Sequence, residues 1–249
     1  MEYNDFIRKM KQIKQIGYVQ SHRKGPTGIG KTLEDLLGIT ENNIAGPDFS
    51  TYEPKTGRKE SVSMITLFTK APMPDNANRK LLEVYGYAQR KVPRDYKQLS
   101  LTGEELSGSK ISVEDKELHS TLDAIKPSSV GLKIRITKDR ISIENDKNVE
   151  AYWDHDTLKE TFEGKYHKLI YVLADHKIEK GREYFWFNEV LLLDGFSFER
   201  FSELVAAGKM KVDIRIGHYP NGQLHDHGTG FRILPKYLPQ CFKTIERVL

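Results

Sequence analysis

Three residues between positions 48 and 55 have side chains and spacing that suit the hydrolysis of a phosphodiester. Asp48 follows a proline, Glu53 stands five residues later, and Lys55 stands two residues beyond Glu53. On a strand Glu53 and Lys55 would point to one face, and a bend could bring Asp48 to that face. Two converging carboxylates form an oxygen-rich site for Mg²⁺, and a lysine beside them can hold or polarise the attacking water. We therefore predict Asp48 and Glu53 as magnesium ligands and Lys55 as a catalytic lysine.

Two neighbouring residues bear on this site. Residues 32–38, TLEDLLG, have leucines at helical spacing, Thr32 in a capping-box pattern and a final glycine, which together predict a short helix. On that helix Glu34 lies beside the apolar stripe, where it could orient Lys55 or complete the metal shell. Pro54 cannot donate a ladder hydrogen bond, so its strand is expected to be irregular or to lie at a sheet edge. A chance grouping of surface charges is the alternative explanation for this set.

A second group of polar side chains lies near the C-terminus. The segment KVDIRIG alternates like a strand, and HDHGTGFRIL is predicted to be its hairpin partner. In that hairpin His225 and His227 share a face and Asp226 opposes them. Arginine reads guanine and acidic side chains accept a hydrogen bond from cytosine, so the group suits the reading of DNA bases. Its candidate residues are Asp213, Arg215, His225, Asp226, His227 and Arg232. An H-x-H metal site and ordinary surface ion pairs are the alternatives.

The stretch GPTGIGKT, residues 25–32, matches the phosphate-binding pattern G-x-x-x-x-G-K-T. A true P-loop follows a buried strand, whereas the residues before Gly25 are QSHRK, which cannot form a core strand. We therefore interpret the stretch as a basic loop and expect no bound nucleotide. Arg23, Lys24 and Lys31 are predicted to contact a DNA backbone, as is Lys70, because cations give affinity for phosphates without reading sequence.

The composition is that of a globular protein, with 249 residues of which 38% are hydrophobic and 30% charged. The apolar runs are too short to span a bilayer and no signal-peptide pattern is present, so we expect a cytoplasmic protein without a membrane partner. The single cysteine excludes an intrachain disulfide. Residues 1–31 carry seven basic and two acidic side chains, and residues 209–249 carry seven and three. Such uneven charge suits a surface that faces a polyanion, or simply solvated helices.

The apolar spacing predicts a mixed α/β chain built as one body. We predict a helix that ends near Gly17 and further helices over 155–163 and 198–207. Strands are predicted in VSMITLFT, HKLIYVLAD and EYFWFNEVLLL, and a hairpin in LKIRITKDRISIEN. A further hairpin turn is predicted at residues 56–59, directly after Lys55, and an irregular loop at residues 71–80.

Taken together, these motifs closely resemble the MvaI/BcnI family of type II restriction endonucleases, which are relatives of the mismatch-repair nicking enzyme MutH. The resemblance rests on GIGKT-x-EDLL, PDF, E-x-KT and ITLFTK, and later on KVDIRIG and HDHGT-x-FRI. It covers roughly residues 25–70 and 209–233. Two departures are Pro54, where an apolar residue is expected, and the short connection HYPNGQL, which bears on the DNA sequence recognised.

The resemblance implies a PD-(D/E)xK restriction-endonuclease-like core with a second DNA-recognition lobe and DNA in the cleft between them. It implies Mg²⁺ bound by Asp48 and Glu53, with Lys55 catalytic and Glu34 in support. The C-terminal hairpin would enter the major groove. The implied activity is cleavage of double-stranded DNA at a short, C/G-rich, nearly palindromic site, leaving 5′-phosphate and 3′-hydroxyl ends. A monomer that cuts the two strands in succession is implied, with a cognate DNA methyltransferase in the same cell.

For domain organisation, we expect one nuclease of two lobes over residues 1–249. Residues 1–95 would be mainly catalytic, residues 205–249 would include the base-reading hairpin, and the lobe boundary would fall within residues 96–204.

Three alternative functions stay open: a MutH-like nicking enzyme, a P-loop NTPase, and a DNA-binding module in which Asp48, Glu53 and Lys55 come together by accident.

Overall fold

The computed structural model of the protein describes residues 2–39, 52–88, 116–163, 168–219 and 223–249. The chain divides into two compact units. The first unit comprises Met1–Ile65, Asp156–Val205 and Ile233–Leu249, and the second comprises Thr66–His155 and Ala206–Arg232. Each unit is thus assembled from segments that are far apart in the sequence. Among the described helices, none combines the length and the apolar character needed to cross a membrane.

The described part of the chain contains both helices and strands. The helices are α1 (Tyr3–Ile16), α2 (Gly28–Leu37), α3 (Ala77–Tyr85), α4 (His155–Glu163) and α5 (Phe198–Ala206). The strands up to residue 154 are β1 (Val19–Gln20), β2 (Glu53–Arg58), β3 (Ile65–Thr69), β4 (Tyr87–Ala88), β5 (Lys116–Leu122), β6 (Lys133–Ile136), β7 (Arg140–Glu144) and β8 (Tyr152–Asp154). The later strands are β9 (Lys168–Glu179), β10 (Arg182–Asp194), β11 (Met210–His218), β12 (Leu224–Asp226), β13 (Gly230–Ile233) and β14 (Thr244–Arg247).

The first unit is a sheet of order β1-β10-β9-β2, with β14 also paired to β10. β2 runs parallel to β9, and β9, β1 and β14 pair with β10 in the antiparallel sense. One sheet face packs against the apolar sides of α1 and α2, and this core is buried. It includes Phe6, Met10, Ile13, Ile29, Leu33, Leu37, Ile170, Val172, Ala174, Phe185 and Phe187. Because successive side chains of a strand alternate, every second residue of β2 and β9 points to the opposite face.

The second unit contains a sheet of order β3-β13-β11-β5-β4, with β12 also paired to β11, and a separate three-stranded sheet β6-β7-β8. Its core includes a group of buried aromatic rings. Phe68 stacks on Phe231 with ring centroids 4.8 Å apart, and Trp153 meets Phe231 edge-on at 5.3 Å. The indole N–H of Trp153 donates a 2.9 Å hydrogen bond to the backbone carbonyl of Lys70, so this buried polar group is satisfied.

Most elements expected from the apolar spacing are confirmed. α1 ends at Ile16, α4 covers His155–Glu163, and α5 begins at Phe198. The pair β6–β7 forms the expected hairpin, and both long strands of the first unit are present. The expectation for Pro54 is also confirmed, because β2 lies at the edge of its sheet among the strands that the structure describes.

Three local predictions are wrong. No turn occurs at residues 56–59: β2 continues through Arg58, whose guanidinium is held by two hydrogen bonds of 2.6 and 2.9 Å to Glu183. Thr32 does not cap α2, which begins at Gly28; the Thr32 hydroxyl instead donates to the carbonyl of Gly28 inside the helix. The predicted loop at 71–80 is helical from Ala77 onward.

Candidate active site

β2 places Glu53 and Lys55 side by side on the sheet face that points away from α1 and α2. In the parallel register with β9, Glu53 lies opposite Leu169 and Lys55 opposite Tyr171, whereas Ile170 and Val172 point into the core. The Lys55 ammonium donates a 2.8 Å hydrogen bond to Oε1 of Glu53. Glu53 is only 7% exposed, so this ion pair is partly withdrawn from water and its Coulombic attraction is less screened than that of a surface pair.

The Glu53 carboxylate has the chemistry of a ligand for a hard cation. Its Oε1 accepts from Lys55, and Oε2 makes no hydrogen bond to any other residue in the described parts of the chain. Within those parts, no three His, Cys, Asp or Glu side chains are arranged to hold a metal ion. Asp48, the second predicted ligand, lies outside the described residues. Glu53 is therefore the predicted metal ligand that lies within the described residues.

The helix α2 carries Glu34 and packs against β2. At Gly30, one turn before Glu34, an added Cβ would lie 3.6 Å from the Thr56 hydroxyl and 3.9 Å from the Glu34 carboxylate. Glu34 is therefore on the side of α2 that faces β2. The structure brings Glu53 and Lys55 into contact and places Glu34 on the adjoining helix.

The stretch GPTGIGKT has its lysine and threonine engaged within the protein. Lys31 forms a 2.8 Å ion pair with Asp35, and Thr32 is fully buried and bonded to the Gly28 carbonyl. Hydrogen bonds from Lys31 and then from His22 hold the pKa of Asp35 below its usual value. The preceding strand β1 has only two residues, neither of them buried, so the buried strand that a P-loop requires is replaced by a short edge segment.

The predicted backbone-contacting cations fall on both units. Arg23 and Lys24 lie exposed in the turn before α2 in the first unit, close to the paired Lys31. Lys70 belongs to the second unit, where its backbone bonds to Thr229 and Trp153.

In the second unit, Asp213 is the centre of a hydrogen-bonded group. Its side chain is 7% exposed, and Oδ2 accepts hydrogen bonds from Nε of Arg215 at 2.7 Å and from Nη1 of Arg232 at 2.6 Å. Oδ1 accepts from the Thr121 hydroxyl at 2.6 Å. One buried carboxylate thus orients two arginines, of which Arg215 is half exposed and Arg232 is 16% exposed.

The predicted histidines form a ladder of rings on β12 and the residues next to it. His225 stacks on Tyr219 with centroids 4.1 Å apart, and His227 lies 3.9 Å from His225. Burial, and then the positive charge of His225, His119 and Arg215, lower the pKa of His227 below its usual value. The His227 imidazole is therefore neutral near pH 7, with one donor and one acceptor nitrogen.

Asp226 points away from this ladder, as strand alternation requires, and is bound on the other side of the sheet. Its Oδ2 accepts a 2.8 Å hydrogen bond from the amide of Asn78 in α3, and its Oδ1 accepts one from the Gly228 backbone. The Asn78 carbonyl in turn accepts from the buried Thr229 hydroxyl at 3.1 Å. These bonds fasten the β12–β13 connection to α3.

Two residues of these groups were missed by sequence reasoning. Thr121 holds Asp213, and Asn78 holds Asp226. Both lie in segments without a recognisable motif, and both are separated from their partners by more than ninety residues. Neither spacing nor composition carried a signal for them.

Comparisons with known proteins decide the family. The sequence model of the MvaI/BcnI restriction endonuclease family matches residues 7–242. The chain belongs to the MvaI/BcnI restriction endonuclease family. It is therefore a DNA-cleaving restriction enzyme, and the resemblance expected from its motifs is confirmed. The comparison with curated proteins gives no match.

Solved structures agree with the family assignment. The complex of restriction endonuclease MvaI with its cognate DNA is similar with a TM-score of 0.81 and 29% identity, over 99% of this chain and 98% of that chain. Restriction endonuclease MvaI in the absence of DNA is similar with a TM-score of 0.54 and 24% identity, over 99% and 97%. The second likeness shows the fold alone. The expected fold class, a mixed α/β protein of the PD-(D/E)xK restriction-endonuclease type, is confirmed.

The ladder predicts a measurable coupling between its histidines. Changing His225 to Ala should raise the pKa of His227, because it removes a neighbouring positive charge and admits water to a partly buried ring. The check is an NMR titration of the imidazole resonances, with His176→Ala in the first unit as the control that leaves His227 unchanged. An unaltered His227 pKa in His225→Ala would contradict the coupling.

Because folding lowers the pKa of His227, the contribution of His227 to stability is present above about pH 6.5 and declines as the pH falls.

Proposed function

We propose that the protein is a type II restriction endonuclease that hydrolyses double-stranded DNA with Mg²⁺ at a short, C/G-rich, nearly palindromic site. The products would carry 5′-phosphate and 3′-hydroxyl ends. The observation that carries the proposal is the partly buried Glu53–Lys55 pair on the edge strand β2, found in a chain of a restriction-endonuclease family. The similar MvaI structure is a complex with a cognate DNA substrate, which supports double-stranded DNA as the partner.

The residues of the first unit would divide the chemical work. Lys55 holds the attacking water and, as a cation, favours the developing charge on the phosphate, while Glu53 keeps the ammonium in place through its 2.8 Å contact. Glu53 and Asp48 would hold Mg²⁺, for which carboxylate oxygens are suitable ligands. When bound, the ion offsets negative charge on the phosphate and on the leaving oxygen. Glu34, on the helix packed against the other face of β2, is proposed to support the strand that carries Lys55.

The second unit would read the DNA sequence. Asp213 holds the guanidinium groups of Arg215 and Arg232 in place, and a fixed guanidinium can donate two hydrogen bonds to guanine. His225 and His227 offer ring nitrogens on the same face. Asp213 contributes by orienting the arginines, and Asp226 contributes through the connection that it fastens.

Phosphate contacts would supply the remaining affinity. Arg23, Lys24 and Lys31 in the first unit and Lys70 in the second are proposed to lie along the DNA backbone, and such contacts weaken as the salt concentration rises.

We further propose a monomeric, cytoplasmic enzyme that needs no nucleotide and is accompanied by a cognate DNA methyltransferase. A MutH-like nicking enzyme would share the cleavage site; it differs in converting supercoiled plasmid to open circles without linear product.

Changing Glu53 to Gln tests the cleavage site. The variant loses the charge that binds the metal and Lys55, so plasmid cleavage in Mg²⁺ should slow by about 100-fold or more, with DNA binding largely kept. The measurement is conversion of supercoiled plasmid to linear form, with binding followed by gel shift. Glu179→Gln, an exposed residue at the end of β9, is the matched control and should cut normally. Wild-type rates for Glu53→Gln would remove Glu53 from the site.

Changing Arg232 to Ala tests base reading. If Arg232 pairs with a guanine, its loss should weaken specific binding by about 1–3 kcal/mol and leave binding to unrelated DNA almost unchanged. Competition binding against specific and unrelated duplexes measures both quantities. Arg135→Ala, in the same unit but 65% exposed on β6, serves as the control. An unchanged preference for the specific duplex would refute the role of Arg232.

A further inference from the structure

Tyr171 lies on the same sheet face as the Glu53–Lys55 pair, with no role yet in the proposed chemistry. It stands directly opposite Lys55 in the parallel register of β2 and β9, so its side chain projects to the side on which Lys55 projects. Its ring is largely covered, and the residue is 5% exposed. Tyr171 is thus a buried neighbour of the predicted catalytic lysine.

The Tyr171 hydroxyl lies across the backbone of β2, over Gly57. A Cβ placed on Gly57 would be 2.1 Å from the Tyr171 hydroxyl oxygen and 2.8 Å from Cζ, so any other residue would displace the ring. Gly57 has an ordinary strand conformation that every residue can adopt, so its backbone does not require glycine. The missing side chain at Gly57 instead makes room for the hydroxyl.

This hydroxyl makes no hydrogen bond to any residue in the described ranges. Enclosing a polar group without a partner costs free energy, and a phenylalanine would fill the same space without that cost. Burial also raises the pKa of Tyr171 to about 12, so the hydroxyl stays protonated and can donate a hydrogen bond. The hydroxyl is not among the fully buried unpartnered atoms of the described residues.

Two ammonium groups flank this donor along β2, each of them close to carboxylates. Lys55 stands two residues before Gly57 and shares its face of β2. Lys59 lies just beyond the strand, and its ammonium reaches Asp175, which is on the same face of β9 as Tyr171. Lys59 is held loosely, with its ammonium 3.6 Å from Asp175 and 3.4 Å from Glu189. A protonated hydroxyl that donates a hydrogen bond next to an ammonium group suits an anionic oxygen.

We propose that Tyr171 is a further catalytic residue, whose hydroxyl donates a hydrogen bond to a non-bridging oxygen of the DNA phosphate beside Lys55. The proposal rests on the proposed function, because it takes the Glu53–Lys55 face as the place of cleavage. Because Gly57 has no side chain, the Tyr171 hydroxyl can lie close to the backbone of β2. The hydroxyl would act on the phosphate alone and would make no contact with bases.

The test is Tyr171→Phe, which keeps the ring and removes only the donor. Single-turnover cleavage of a supercoiled plasmid in Mg²⁺ should slow on the order of 100-fold, as for the loss of one donor to a developing negative charge. Plasmid affinity in EDTA and the melting temperature should stay at wild-type values. Tyr184→Phe, the same substitution on β10 in the same sheet, should cut at the wild-type rate.

The outcomes separate this inference from the proposed function. If the wild-type enzyme and Tyr171→Phe cut equally fast, the inference is wrong while the proposed function stands. A shifted melting temperature with an unchanged rate also overturns it, because the hydroxyl then serves packing only. If the wild-type enzyme itself fails to cut any plasmid with Mg²⁺, the proposed function fails and the inference falls with it.

Discussion

The parallel pairing of β2 with β9 is the constraint on which the candidate active site depends. Among the described strands β2 pairs only with β9, and it contains a proline, yet its register with β9 determines which side chains face outward. That register places Glu53 and Lys55 on the face opposite the helices and sets Tyr171 directly beside Lys55. A shift of one residue would turn Glu53 and Lys55 into the apolar core, where an uncompensated charge is costly.

In the second unit, ion pairs and hydrogen bonds between polar side chains determine their positions, in addition to packing. The buried carboxylate of Asp213 holds two arginines and a threonine, and removing it would take from the largely buried Arg232 a carboxylate that lies 2.6 Å away. On the other side of the sheet Asn78 holds Asp226. Such networks restrict the arginine rotamers before DNA binds, which lowers the entropy lost on recognition.

Local patterns in the sequence predict many of the elements and the shared face of Glu53 and Lys55. Alternation places Glu53 and Lys55 on one face, Pro54 indicates an edge strand, and apolar spacing locates α4 to the residue. The glycine at position 57 favours a turn by sequence, but no turn forms there. A side chain at this position would instead collide with Tyr171, which approaches from the neighbouring strand β9. Pairings such as Thr121 with Asp213 join segments that no local pattern connects. The interleaving of two units along one chain has the same origin, since it follows from long-range strand pairing and leaves no linker composition in the sequence.

The most direct test of the central claim is a digest of a long, fully sequenced, unmethylated DNA by the purified protein, without added nucleotide. With Mg²⁺ we expect discrete fragments whose mapped ends share one short C/G-rich sequence, and with EDTA we expect intact DNA. Absence of cutting in Mg²⁺, together with ATP hydrolysis in a parallel assay, would contradict the account. It would return the stretch GPTGIGKT to consideration as a nucleotide-binding loop.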